Sequence, residues 1–177
     1  MKNNIFLLLI SFHCIQSFAQ TELIPGEIKG KHDTFIVSRL NTPWDTVKYI
    51  GIDNKRNKYN KGIPYSEAQK DRRFLPMNPK KDIHVNNDAV KQIVYSVLSS
   101  KQHILKQNKE KMNLTFIFEP NGKLTDIGFT LHENTAINIQ DIEEIDKQLR
   151  ASIKVTFTGS KYLKYIAINY YMPPIVF

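Results

Sequence analysis

The segment from Lys55 to Lys81 carries the side chains of this sequence that are best suited to binding chemistry. Cationic and aromatic residues are interleaved along it, as they are in surfaces that hold anionic groups and stack on rings. The residues that we single out as candidate ligand contacts are Lys55, Arg56, Lys58, Tyr59, Arg72 and Arg73. A solvated basic loop is the alternative interpretation of the same segment.

The histidines and serines do not form a recognisable catalytic or metal-binding motif. After residue 19 the histidines are His32, His84, His103 and His132, and no two have the spacing that places a zinc pair on one helical face. The sequence also lacks the Gly-x-Ser-x-Gly pattern of a nucleophile elbow. We therefore predict no metal site and no cofactor. The alternative is a hydrolase whose residues converge only in the fold, around His32, His84 or His132.

The first twenty residues have the pattern of a secretory signal. Lys2 precedes the apolar run Ile5–Ile10, and the small-x-small sequence Ser17-Phe18-Ala19 follows. This apolar run is too short to span a bilayer. We predict a signal peptide over residues 1–19, a periplasmic or secreted bacterial protein, and no transmembrane segment after cleavage. Because Cys14 is the single cysteine, the mature chain would contain no disulfide.

The chain is basic, with a formal net charge of +8 at neutral pH. An exported protein of this charge is attracted to anionic surfaces such as phospholipid headgroups or acidic glycans. We therefore expect its partner to be an envelope protein or an anionic envelope polymer. Nucleic acid is not expected in that compartment.

Prolines and glycines divide residues 20–87 into short pieces. Two of these pieces, residues 34–40 and 46–52, are rich in β-branched and aromatic residues and are predicted to pair across residues 41–45. Residues 53–81 are predicted to form a loop. We expect an irregular N-terminal region over residues 20–87 that contains this β-hairpin, followed by an α+β domain over residues 88–177.

The domain is predicted to begin with a helix and a hairpin. Apolar residues recur at helical spacing from Val90 to Leu105, with Asp88 as the expected N-cap. Apolar residues then recur at every second position in residues 114–119 and again in residues 124–131. Asn121-Gly122 lies between these stretches and suits the positive φ angles of a tight reversal. We therefore predict a β-hairpin with Leu114, Phe116 and Phe118 on its buried face.

A second helix and a final strand complete the predicted domain. Asn138 and Asp141 form a partial capping box for the helix. Its expected buried stripe consists of Ile139, Ile142, Ile145, Leu149 and Ile153. Its expected solvent face consists of Glu143, Glu144, Lys147 and Arg150. Residues 162–171 are apolar on both faces and are predicted to form a buried strand, which Pro173 and Pro174 end.

The order helix, hairpin, helix, strand resembles the TonB C-terminal domain. The residues that carry the resemblance are the hairpin sequence Leu114-Thr-Phe-Ile-Phe-Glu-Pro-Asn-Gly-Lys-Leu-Thr-Asp-Ile-Gly-Phe129 and the closing sequence Ile166-Ala-Ile-Asn-Tyr-Tyr-Met-Pro-Pro-Ile-Val-Phe177. The resemblance covers about half of the chain, from Asp88 to the end. It implies a small antiparallel sheet with two packed helices and a sheet edge that recruits a partner strand.

These observations favour an exported, non-catalytic binding or interaction module of the bacterial cell envelope. The expectation follows from the well-patterned α+β core together with the missing catalytic spacings. The envelope hydrolase described above remains the alternative function.

Overall fold

The computed structural model describes residues 23–41 and 47–177. The strands are β1 (Gly26–Lys29), β2 (Thr34–Leu40), β3 (Tyr49–Asn54), β4 (Ile83–Val85), β5 (Lys111–Phe118), β6 (Leu124–His132), β7 (Val155–Phe157), β8 (Ile168–Tyr171) and β9 (Ile175–Val176). The helices are α1 (Glu67–Lys70), α2 (Pro79–Asp82), α3 (Asn87–Val97), α4 (Gln102–Gln107) and α5 (Ile139–Ser152). Two short 3-10 turns lie at Ser99–Lys101 and Lys161–Lys164. The predicted signal peptide lies outside the described residues.

One antiparallel sheet organises the fold, which is α+β as the sequence predicts. Its strand order is β1-β2-β3-β6-β5-β8, and β9 pairs with the first part of β5. A separate two-stranded sheet consists of β4 and β7. Strand β3 pairs with β6, so the main sheet is continuous across residue 88. The division of the chain into domains at that residue stays a prediction, as does the likeness to the TonB domain.

The hairpin predicted from residues 34–40 and 46–52 is present. Strands β2 and β3 pair antiparallel, with Val37 opposite Ile52. Phe35, Val37, Ile50 and Ile52 are almost completely buried, as β-branched and aromatic residues on the inner face of a sheet should be. Strand β3 begins at Tyr49, and its predicted start at Thr46 lies outside the described residues.

The predicted β5–β6 hairpin is also confirmed. Leu114, Phe116 and Phe118 are at most 1% exposed, whereas the residues between them are partly exposed. The turn contains Gly122 with φ of 82°, the left-handed conformation that glycine adopts without strain. Helices α3 and α5 pack together and bury the same inner face, so the core lies between these helices and the sheet.

Helix α5 begins as predicted but is more deeply embedded than its charge pattern indicates. The Asn138 side chain accepts from the amide of Asp141, and the Asp141 side chain accepts from the amide of Asn138, which completes a capping box. The five residues of the predicted apolar stripe are all buried. The predicted solvent face is wrong for two residues. Glu143 is only 7% exposed, and the Arg150 side chain is only 17% exposed, because segments from the first third of the chain cover them.

The helix predicted from Asp88 to Leu105 is two helices, and its N-cap is Asn86. The Asn86 side chain accepts from the amide of Ala89, and Asp88 lies in the first turn. Helix α3 ends at Val97, and a 3-10 turn separates it from α4. Ser99 and Ser100, whose residue type forms helices less readily than alanine or leucine, fall in this turn. Leu98 and Leu105 are both fully buried, which explains why the apolar period continues across the break.

The final strand is much shorter than the predicted residues 162–171. Only Ile168–Tyr171 forms β8, and Lys161–Lys164 is a 3-10 turn. The aromatic residues of this turn region pack locally, because Tyr162 stacks on Phe157 with ring centroids 5.0 Å apart. Leu163 and Ile166 are 65% and 37% exposed, so this apolar run is not a strand buried on both faces. Within the described residues, no helix combines the length and apolarity needed to cross a membrane.

Candidate functional site

Three of the predicted ligand-binding cations are engaged in ion pairs with distant parts of the fold. Lys55 Nζ lies 2.8 Å from the Glu27 carboxylate, and Lys58 Nζ lies 2.5 Å from Glu119. Arg56 is 2.7 Å from Asp146 and 3.2 Å from Asp33. These contacts connect the chain after β3 to the β1–β2 hairpin, the β5–β6 turn and helix α5.

The six predicted contacts do not form one common cluster, although Tyr59 lies beside Lys58. Tyr59 is only 8% exposed, and Lys58 lies over its ring at 5.2 Å from the centroid. Arg73 pairs with its near neighbour Asp71 at 3.0 Å. Arg72 is exposed and makes no ion pair within the described part of the chain. The role of all six residues in ligand binding stays a prediction.

The histidines named for the hydrolase alternative occupy three separate places. The backbone amide of His32 donates to Glu143 at 2.6 Å. His84 Nε2 lies 2.7 Å from the Thr158 hydroxyl in an exposed contact between β4 and the residue after β7. His132 Nδ1 lies 3.4 Å from Glu110 Oε2. Neither side-chain contact contains the Ser or Asp partner that would favour the hydrolase.

The contact between His132 and Glu110 lies in a cleft at one end of the main sheet. The cleft has a volume of about 940 Å³, and we call it the Glu110 cleft. Its lining residues are Leu23, Ile24, Pro25, Arg39, Val47, Lys48, Asn108, Glu110, His132, Glu133 and Asn134. A large concave site with convergent polar groups and a perturbed titratable residue is the first place to expect ligand binding.

Strand ends bring these side chains together. Arg39 is near the end of β2, and His132 closes β6 opposite Tyr49, the first residue of β3. The rings of Tyr49 and His132 have centroids 5.2 Å apart. The amide of Glu133 donates to the carbonyl of Lys48 at 2.9 Å, which holds the segment before β3 against the end of β6.

Glu110 forms the buried base of the cleft. Its side chain is only 2% exposed, and its Oε2 atom has no hydrogen-bond partner among the described residues. Burial raises the pKa of this carboxyl, although the charge of His132, a hydrogen bond with Thr135 and the backbone of Ala136 oppose the rise. The carboxyl therefore loses its proton less readily than that of an exposed glutamate.

The rim of the cleft is charged and accessible. Arg39 donates to Glu133 at 2.8 Å while its side chain remains 66% exposed. Lys48 is also exposed at this rim. The exposed part of the Arg39 guanidinium is suited to an acidic group that replaces or joins Glu133 there.

Sequence reasoning missed Glu110, Arg39 and the cleft for a physical reason. Glu110 stands between Lys109 and Lys111, a pattern typical of solvated charge. Its carboxyl lies against His132, Thr135 and Ala136 at the end of β6 and in the segment after it, while the amide of Phe177 donates to its backbone carbonyl. No local sequence pattern predicts such a contact. Across residues 23–41 and 47–177, no three His, Cys, Asp or Glu side chains cluster as a metal site would require.

Comparison with known proteins defines the fold. No protein-family model matches the chain, and no curated protein matches it. Among solved structures, the chain is similar to a DUF5043 family protein from Bacteroides uniformis ATCC 8492. The similarity has a TM-score of 0.63 at 15% sequence identity and covers 86% of each chain. At this level of identity, what the two proteins share is the fold.

Proposed function

We propose that this protein is an exported, non-catalytic binding module of the bacterial cell envelope, and that the Glu110 cleft receives an acidic group of its ligand. The observation that carries the proposal is the exposed guanidinium of Arg39 at the rim of a cleft whose base holds the buried Glu110 beside His132. Lys48 adds a second exposed cation to the same rim.

The ligand class that we propose is an anionic envelope polymer such as an acidic glycan. A guanidinium group presents paired N–H donors that match the two oxygens of a carboxylate. The excess of basic over acidic residues would also increase the rate of encounter with an anionic polymer. The polar lining from Asn108 and Asn134 offers hydrogen bonds to hydroxyl groups next to the acidic group.

Affinity for polygalacturonate, used as a probe, tests the location of this site. The double variant Arg39→Gln, Lys48→Gln removes two rim charges of the cleft, and Arg72→Gln, Arg73→Gln removes two charges from the basic segment after α1. We expect the first variant to bind roughly tenfold more weakly than the second, the loss of about one charge-assisted hydrogen bond. Equal weakening would mean that overall charge alone matters, and the opposite order would place the site in residues 55–81.

Export is the second part of the proposal and has its own test. Ala19 and Ser17 are the small residues of the expected cleavage site. N-terminal sequencing of the protein recovered from outside the cytoplasm should start at Gln20. An intact Met1 form held in the membrane, or a lipid-modified Cys14, would contradict it.

A further inference from the structure

A second concave surface lies on the opposite face of the main sheet from the helices. It is a groove of about 320 Å³, which we call the open-face groove. Its lining residues are Ser38, Leu40, Gly51, Asp53, Asn57, Tyr59, Asn60, Thr115, Ile117, Asp126, Gly128, Phe129, Thr130 and Tyr171. The strand residues of this set, apart from Phe129, alternate with the buried core residues, so most of their side chains point away from α3 and α5.

The floor of the groove is formed at Gly128, which has no side chain. Along one row of the sheet, Gly128 is paired with Asp53 on one side and with Thr115 on the other, and Thr115 is paired with Tyr171. A Cβ atom at Gly128 would lie 3.1 Å from Asp53 Oδ1, which is a crowded contact. The glycine therefore leaves a depression between Asp53 and Thr115, about two strand spacings or roughly 10 Å wide.

The charge of the groove is opposite to that of the whole protein. Asp53 and Asp126 line it, and no Lys, Arg or His does. Asp126 is satisfied by the amides of Lys58 and Tyr59, at 2.8 and 2.6 Å. The Asp53 carboxylate accepts no hydrogen bond from the described residues. Burial, and then the charge of Asp126, raise the pKa of Asp53. A cationic ligand would relieve both effects.

Tyr59 supplies an independent sign of an unfilled site. This residue lines the groove and is 8% exposed; the Lys58 ammonium interacts with its hydroxyl oxygen, but the hydroxyl hydrogen has no acceptor within the described residues. The ammonium of Lys58, which lies over the Tyr59 ring, is held by Glu119 at 2.5 Å. Buried hydroxyl groups usually have a partner, so one that lacks an acceptor beside a groove points to a missing polar group. Tyr171, at the far end of the row, is 72% exposed and offers an aromatic surface.

We propose that the open-face groove binds a small organic cation, about one sugar ring in size, whose ammonium group pairs with Asp53. The ring lies over Gly128 and its hydroxyl groups meet Thr115 and Thr130, which line the same depression. A volume of about 320 Å³ is at the lower end of small-molecule sites and suits a ligand of this size. This site is separate from the Glu110 cleft in position and in the charge that it selects.

Calorimetric titration with glucosamine tests the proposal, with glucose as the neutral probe that presents similar hydroxyl groups. We expect glucosamine to bind the wild-type protein and glucose to bind at least tenfold more weakly. The variant Asp53→Asn should lose roughly tenfold or more in affinity for glucosamine, as expected when a charge-assisted hydrogen bond is removed. Asp88→Asn is the matched control, because Asp88 is 90% exposed on α3 and its loss changes the net charge equally.

A steric variant keeps the test independent of charge. Gly128→Ala places a methyl group in the floor of the groove, and we expect it to weaken glucosamine binding while near-ultraviolet circular dichroism confirms the native fold. Equal binding of glucose and glucosamine, no glucosamine binding at all, or equal effects of Asp53→Asn and Asp88→Asn would each overturn the proposal.

Discussion

The guanidinium of Arg56 lies 2.7 Å from the carboxylate of Asp146, a residue of α5 that is fully buried. Arg150 approaches the same carboxylate from the next turn of the helix at 2.9 Å. Arg150 also donates to the Asn57 side chain and to the carbonyl of Thr125. This network fastens the chain after β3 to α5 and to the start of β6.

The two arginines of the network should contribute unequally to stability. Arg150→Met leaves Asp146 buried with one fewer partner and removes a donor from the Asn57 side chain and from the Thr125 carbonyl, so we expect a loss of about 3–5 kcal/mol in the free energy of unfolding. The Arg56 side chain is 47% exposed, so solvent screens its charge, and Arg56→Met should cost only about 1 kcal/mol. Urea unfolding of both variants measures the difference. Equal losses would contradict the unequal contributions of the two arginines.

Glu143 should stabilise the fold at neutral pH and lose this effect in acid. Its carboxylate accepts from the amides of Lys31, His32 and Asp33 at 2.6, 2.6 and 2.7 Å. Burial by itself would raise its pKa, but the hydrogen bonds from these amides and the charge of His32 outweigh it and hold the pKa below its ordinary value of 4.5. The stabilisation is therefore present above pH 4.5 and disappears as the pH falls through the lower, folded-state pKa.

The variant Glu143→Gln tests this dependence. We expect it to lose about 1–3 kcal/mol at pH 7, the value of a charged hydrogen-bond acceptor. The difference in stability between this variant and the wild type should disappear as the pH falls below 4.5. A gap of constant size from pH 7 to pH 3 would mean that the charge of Glu143 is irrelevant.

Glu110 should show the opposite pH dependence. Its folded-state pKa is raised above 4.5 by burial, so its contribution to stability is full below that pH and is lost as the pH rises through the folded-state value. Glu110→Gln should therefore raise stability at pH 7, on the order of 1 kcal/mol, and change little at pH 4. Thermal melting of this variant and the wild type at the two pH values measures the difference in stability. If Glu110→Gln were less stable than the wild type, and more so at pH 7 than at pH 4, the raised pKa would be refuted.

The two faces of β5 should respond differently to a charge. Phe116 is completely buried, so Phe116→Asp places an unpaired carboxylate in the core and should unfold the protein, at a cost of several kcal/mol. Thr115 is partly exposed in the open-face groove, and Thr115→Asp should leave a folded protein with a lower melting temperature. Similar melting temperatures for Phe116→Asp and the wild type would contradict this arrangement.

Elements whose signals are local could be predicted from the sequence. The Asn-Gly turn and the strict alternation around Phe116 determine the β5–β6 hairpin, and the capping box at Asn138 determines the start of α5. These signals act within a few residues. The helix break at Leu98 and the 3-10 turn at Lys161 were missed, because buried leucines and stacked aromatic rings imitate a continuous helix or strand.

The surroundings of charged residues could not be predicted, because distant segments create them. Glu143 is buried by the loop between β1 and β2, more than a hundred residues earlier in the chain. Arg150 likewise contacts Asn57 and Asp146, so a residue expected on the solvent face of α5 is part of a buried network. The Glu110 cleft assembles residues from three strand ends, and its charge pattern exists only in the folded chain.

Nuclear magnetic resonance titration of the isotope-labelled protein with oligogalacturonate tests the proposed cleft most directly. We predict the largest backbone amide shifts at Arg39, Lys48, His132 and Glu133, with small and uniform shifts across residues 55–81. Largest shifts within residues 55–81, with an unperturbed His132, would contradict the assignment of ligand binding to the Glu110 cleft.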